Sequence, residues 1–185
     1  MRKKRSVITV LTEKNEAELI SKKSENSRPL PLTPHKEEVV YVDAFHLPLL
    51  SQYTITSPYG YRQDPFTGKQ KFHSGVDLSA NGDNVYSMTH GTIKKIGFEK
   101  NGYGNYITIE SGDFEFIYAH LKTTIGSRGD IVKAGDEIGI SGNTGRSTGE
   151  HLHLTIKNKC KTIDPYPILN YIHETSAPTS ISRVK

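Results

Sequence analysis

Residues 151–156 read His151-Leu152-His153-Leu154-Thr155-Ile156, and this alternation is the pattern of an extended strand. On such a strand successive side chains point to opposite faces, so Leu152, Leu154 and Ile156 share one face and His151 and His153 the other. A core takes the aliphatic face, which leaves the two imidazoles looking into a cleft. Upstream, His73-Ser74-Gly75-Val76-Asp77 places a His and an Asp four positions apart. Gly75 and β-branched Val76 favour a loop or strand end over a helix for that segment. His73, Asp77 and His153 together would make a three-ligand zinc site with an open fourth position, the layout of a hydrolytic metal centre.

The rest of the chain sets this strand in a β-rich body. Strand candidates recur at Val85–Met88, Thr92–Phe98, Tyr106–Glu110, Phe114–Leu121 and Glu137–Ser141. Ser111-Gly112-Asp113 reads as a short hairpin loop and Lys133-Ala134-Gly135-Asp136 as a tight turn. Ser57-Pro58-Tyr59-Gly60-Tyr61-Arg62 and Asp64-Pro65-Phe66-Thr67-Gly68 read as two turns in quick succession. With no amphipathic helical pattern between 50 and 160, the fold class is all-β, antiparallel, a barrel or a sandwich. Ser141–Gly149 is a polar, Gly-rich loop without the Lys-Ser/Thr ending of a phosphate-binding loop. It is expected to be a flexible cleft wall, with the 57–70 segment, including Tyr59 and Tyr61, as the facing wall.

Three segments follow: residues 1–40 as a flexible N-terminal arm and linker, 41–172 as the folded domain, and 173–185 as a disordered tail. The arm is rich in Lys, Glu and Ser, permits a short helix around Glu16–Ser24, and ends in Pro29, Pro31 and Pro34. A short helix is expected to close the domain near Ile172. Of the net charge of +4, the arm holds nine Lys/Arg and six Asp/Glu, leaving fifteen and fourteen for the remainder. The domain is therefore almost neutral, and nucleic acid is not expected as a partner. The single cysteine, Cys160, has no partner for an internal disulfide and reads as a small residue near a strand end. No apolar run reaches membrane-span length. Met1-Arg2-Lys3-Lys4-Arg5 imitates the start of a signal peptide, but Val7–Leu11 is too short for its apolar part.

Two neutral imidazoles and one carboxylate leave a divalent cation with a net charge of about +1, so it remains a good Lewis acid. Hydrolysis then needs a general base and a group to steady the oxyanion. His151 is one pleat from His153 on the same face. His120, in Ile117-Tyr118-Ala119-His120-Leu121, ends another strand and could reach the cleft from the side. The remaining histidines, His35, His46, His90 and His173, read as surface or structural residues.

These motifs, in this order, resemble the lysostaphin-type (LytM-like) zinc metallopeptidase domain, a family of peptidoglycan endopeptidases. The resemblance runs from about 53 to 167. It is carried by Ser57–Arg62, His73-Ser74-Gly75-Val76-Asp77-Leu78, Gly104-Asn105-Tyr106-Ile107, Tyr118-Ala119-His120-Leu121, Gly135–Gly139 and His151-Leu152-His153. It implies a duplicated-hairpin (barrel-sandwich hybrid) β fold, one Zn²⁺ on His73, Asp77 and His153, and His120 and His151 as catalytic histidines. It also implies a peptidoglycan peptide as substrate and a place in the cell envelope; the chain is expected to act as a monomer. The family includes members that lost ligands and act as binding or activating modules; all five positions are filled here. D-Ala-D-Ala peptidases also use two His and an Asp, with different spacing and an α+β fold.

Overall fold

The computed structural model describes residues 45–176. The expected arm at 1–40, its helix at Glu16–Ser24 and the tail beyond Ser176 lie outside the described residues. Within them the first strands are β1 (Ile55–Ser57), β2 (Gly60–Gln63), β3 (Gln70–His73), β4 (Val76–Ser79) and β5 (Asn84–Tyr86). Longer strands follow: β6 (Gly91–Glu99), β7 (Gly104–Ser111) and β8 (Phe114–Leu121). Then come β9 (Thr123–Thr124), β10 (Ile131–Val132), β11 (Glu137–Ile140), β12 (His151–Asn158) and β13 (Lys161–Ile163), and the chain closes with helix α1 (Tyr166–Ser176).

Every ladder is antiparallel. The main sheet runs β1-β4-β12-β8-β7-β6-β10, flanked by a three-stranded sheet, β5-β11-β9, and the β2-β3 hairpin. The all-β expectation holds, and the main sheet stays open, with β1 and β10 at its ends rather than paired into a barrel. β12 is the hub. One of its edges lies along β8; the other is shared end to end by β4, against His151–Leu154, and β13, against Ile156–Asn158.

The core explains why β12 faces as it does. Leu152, Leu154 and Ile156 are wholly buried with Val76, Leu78, Ile107, Ile109 and Tyr118. Burying each such aliphatic side chain contributes about 1.5–3 kcal/mol. A slip of one residue would expose all three, so the core fixes the register and with it the direction of the histidines. Tyr118 keeps its ring in the core because its hydroxyl accepts the Met88 N–H at 2.8 Å. Leu169 and Ile172 of α1 seal the same core.

Two local readings change. Ser57–Arg62 is not simply a turn: β1 ends at Ser57 and β2 begins at Gly60. Strands β1 to β4 are short, carry Arg, Gln and Lys, and are broken by Pro58, Pro65 and Gly68, so composition hid them. The closing helix runs past Ile172 to Ser176, its Thr175 hydroxyl donating to Tyr171 O at 2.9 Å.

Candidate metal centre and catalytic groove

Strand pairing brings the site together. His153 lies directly across from Asp77 on β4 and from Ala119 on β8. Val76 and Leu78 take the core side of β4, which turns Asp77 to the histidine face. His73 is the last residue of β3, and only Ser74 and Gly75 separate it from β4. Gly75 is needed there: a Cβ would stand 2.3 Å from Leu154 O and 2.9 Å from His153 Nε2.

The donor atoms converge. His73 Nε2 is 3.1 Å from His153 Nδ1 and 3.2 Å from Asp77 Oδ1, and His153 Nδ1 is 2.7 Å from the same oxygen. All three residues are buried. Their outer contacts set which nitrogen faces inward. His73 Nδ1 lies 2.8 Å from Pro58 O, a pure acceptor, so Nδ1 carries the proton and Nε2 presents its lone pair. His153 Nε2 is 2.9 Å from Thr155 Oγ1, which can accept its proton and leave Nδ1 as the inward donor atom. Burial works against a charged Asp77, but the His153 and His73 imidazoles, when their inward nitrogens carry protons, outweigh it and hold the carboxyl well below the usual carboxylate range. Two imine lone pairs and a carboxylate oxygen crowded to about 3 Å call for positive charge between them. Tetrahedral zinc with ligands at about 2.0–2.2 Å spaces its donors by about 3.3–3.6 Å. The trio therefore fits a divalent cation with little adjustment.

Two more imidazoles stand beside it. His120 Nδ1 donates to Thr144 O at 2.7 Å, and His151 Nδ1 donates to Gly149 O at 2.8 Å. Both rings thus leave Nε2 as the free acceptor, and that of His151 is 3.6 Å from Asp77 Oδ1. The two rings are 4.8 Å apart between centroids. Burial pushes His120 down to about 4, so it is neutral and able to take a proton at ordinary pH.

His120 reaches the site through a break in its strand. Phe116 and Tyr118 face the main core, while Ile117 and Ala119 face the histidine side. Unbroken alternation would bury His120 in the core and turn Leu121 toward the site. Instead the β7–β8 register shifts between Asn105 and Ile107, His120 takes φ 60°, and Leu121 returns to the core. Left-handed backbone at a histidine is strained, and bulges that redirect a side chain cluster at functional sites. The His120 N–H donates to Tyr103 O at 2.7 Å, which holds the bulge in place.

Two cavities, about 880 Å³ and about 270 Å³, meet at Arg62, Asp77 and His151 and make one groove across the site. The 141–149 loop does form its wall, but pinned rather than free: Thr144 Oγ1 donates to Leu121 O at 2.8 Å and the Arg146 N–H to Gly102 O at 2.9 Å. Phe66, Phe72 and Tyr103 also line the smaller cavity. Tyr59 and Tyr61 line neither cavity: the Tyr59 hydroxyl donates to Thr162 O, and Tyr61 is 75% exposed. His73, Asp77, His120, His151 and His153, singled out from the sequence, thus lie together, beside Thr155, Tyr103, Arg62 and the Asp64–Arg146 pair, which were not. Thr155 had a signal, as the third polar residue on the His151–His153 face. Tyr103 and Arg146 had none, since their roles depend on loop-to-loop contacts.

The family model described as peptidase family M23 matches residues 71–165, just over half of the chain. The chain belongs to peptidase family M23. Among relatives of this M23 chain, a DD-carboxypeptidase/endopeptidase of Neisseria meningitidis is 36% identical over 126 residues, 67% of this chain and 29% of that protein. A zinc-containing peptidase from Vibrio cholerae has a TM-score of 0.62 and 32% identity, covering 67% of this chain and 40% of that one. The catalytic domain of the antimicrobial peptidase lysostaphin from Staphylococcus simulans has a TM-score of 0.58 and 34% identity, covering 64% of this chain and 92% of that one. The M23 chain spans about a quarter to a third of the length of most curated relatives it matches. Among the described residues no helix is long and apolar enough to cross a membrane.

Proposed function

We propose that this M23 chain is a zinc metalloendopeptidase that cuts the cross-linking peptides of bacterial peptidoglycan, working as a monomer in the cell envelope. The observation that carries the reading is the convergence of His73 Nε2, Asp77 Oδ1 and His153 Nδ1, with two further imidazoles facing the same point. His73, Asp77 and His153 would hold the Zn²⁺, which when bound supplies Lewis-acid activation of water and of the peptide carbonyl. His151, its Nδ1 proton committed to Gly149 O, offers Nε2 to accept a proton from the attacking water and pass it to the leaving amine. His120, fixed by Thr144 O and neutral, presents its Nε2 lone pair to the same point and would share the base role. The groove admits an extended peptide along its length, and its mixed Arg62, Asp77 and His151 floor suits polar backbone.

The wall as substrate rests on the named relatives: a DD-carboxypeptidase/endopeptidase and an antimicrobial peptidase. The test is digestion of purified walls of two chemotypes, one with Gly-Gly bridges and one with direct D-Ala–diamino acid cross-links. Mass spectrometry of the fragments should show cleavage of one cross-link type. Zinc-loaded protein that binds both walls and cuts neither would replace the enzyme with a binding module.

A further inference from the structure

The 141–149 loop touches both imidazoles that flank the metal trio. Thr144 O accepts the His120 Nδ1 proton and Gly149 O accepts that of His151. The Ser147 hydroxyl donates to Gly149 O at 2.7 Å, which ties the second contact back into the loop. Between these two anchor points lies Arg146, whose guanidinium forks onto Asp64 of the β2–β3 turn with two contacts of 2.8 Å. Such a planar, two-point fork fixes direction as well as distance.

Asp64 is itself fixed. It is 3% exposed, and its Oδ1 accepts the N–H groups of Phe66 and Thr67, each at 3.0 Å. The guanidinium also lies over the Phe66 ring, 4.3 Å from its centroid. Below, Gly145 packs so tightly that a Cβ would stand 2.2 Å from Gly104 N. Asp64, Phe66, Arg146 and both imidazoles line the smaller cavity, so the pair bridges the groove at its working end. The polar partners of His73 are Ser57, Pro58, His153 and Asp77, and the metal trio is held by strands rather than by this loop.

We propose that Asp64 and Arg146 form a positioning latch that ties the loop to the β2–β3 turn and thereby aims His120 and His151 at the reacting peptide. Neither is a catalytic residue; both act through Thr144 and Gly149. The inference rests on the peptidase reading for its effect on rate, though not for its effect on the two rings. A displacement of about 1 Å at reacting groups can cost on the order of 100-fold in rate.

The experiment uses the zinc-loaded full chain and Asp64→Asn, Arg146→Gln, Arg146→Lys and the Asp64→Asn/Arg146→Gln double variant. Zinc content should stay at the wild-type level in all four. Long-range ¹H–¹⁵N spectra of the imidazoles should show single Nδ1–H tautomers for His120 and His151 in the wild type and mixed tautomers in the variants, with His73 unchanged. On purified walls kcat should fall by about 10–100-fold, KM should change little, and the double variant should be no worse than the poorer single one. If the wild type cuts no wall, the peptidase reading falls and the spectra alone decide the latch. Unchanged His120 and His151 signals overturn it. Loss of zinc together with the His73 signal also overturns it, because the pair is then only a prop for the fold; Arg146→Lys, which keeps the charge and loses the fork, guards against a variant that fails to fold.

Discussion

Replacing Thr155 by Val tests whether the outer contacts of the metal trio tune its affinity. Thr155 is wholly buried, and its Oγ1 lies 2.9 Å from His153 Nε2. Valine keeps the shape and removes the acceptor, so a buried imidazole N–H is left unpaired whenever Nδ1 serves as the ligand atom. An unmade buried hydrogen bond of this kind costs about 1–3 kcal/mol. At about 1.4 kcal/mol per decade, zinc affinity should fall by about 5–150-fold. That range agrees with the 10–100-fold loss typical of removing a partner behind a ligating histidine. Competition against a chromophoric zinc chelator measures the Kd directly, and Thr155→Ser, which retains the hydroxyl, should stay close to wild type. A Thr155→Val Kd within twofold of wild type would refute the reasoning, as would an equal loss in Thr155→Ser.

His120→Ala and His151→Ala should keep zinc and fold while losing about 10²–10⁴ in wall cleavage, followed by fragment release from purified walls. Near wild-type cleavage in either would remove that residue from the chemistry. Deleting residues 1–40 should leave zinc content and melting temperature unchanged; a large rise in cleavage would instead make the arm an inhibitory plug. The Arg146 guanidinium holds the Asp64 carboxyl well below the usual carboxylate range. A depressed carboxyl pKa means that the pair's contribution is fully present above about pH 4 and is lost as pH falls through the lowered value. The melting-temperature gap between wild type and Asp64→Asn should therefore be constant above about pH 5 and narrow in stronger acid, as read by calorimetry across pH.

The alternation at 151–156 was legible because a single strand carried both the core face and the imidazole face, and burial of Leu152, Leu154 and Ile156 enforced it. The same rule misplaces His120. Counting from Phe116 and Tyr118 sends it into the core, and only the bulge with φ 60° brings it out. Only the family resemblance placed it from sequence, since a bulge shows in the pairing of two strands rather than in either one. The β2–β3 hairpin was hidden for a related reason: its stability comes from the Asp64 turn and from packing of Phe72 on Tyr59 and Tyr61, not from an apolar run. The Gly-rich loop read as mobile because its glycines suggest freedom. At Gly145, and at Gly104 of β7 against which it packs, glycine serves close approach instead, with positive φ and no room for a Cβ.

Asp77→Ala removes the one carboxylate shared by both ligand imidazoles, and zinc stoichiometry measured beside wall cleavage on the same preparation tests the central claim most directly. The account predicts about one zinc per wild-type chain and cleavage of cross-linked wall, with both lost in a variant whose strands remain folded, as judged by circular dichroism. A folded Asp77→Ala protein that still binds zinc at wild-type stoichiometry, or that cuts wall without it, would contradict the account.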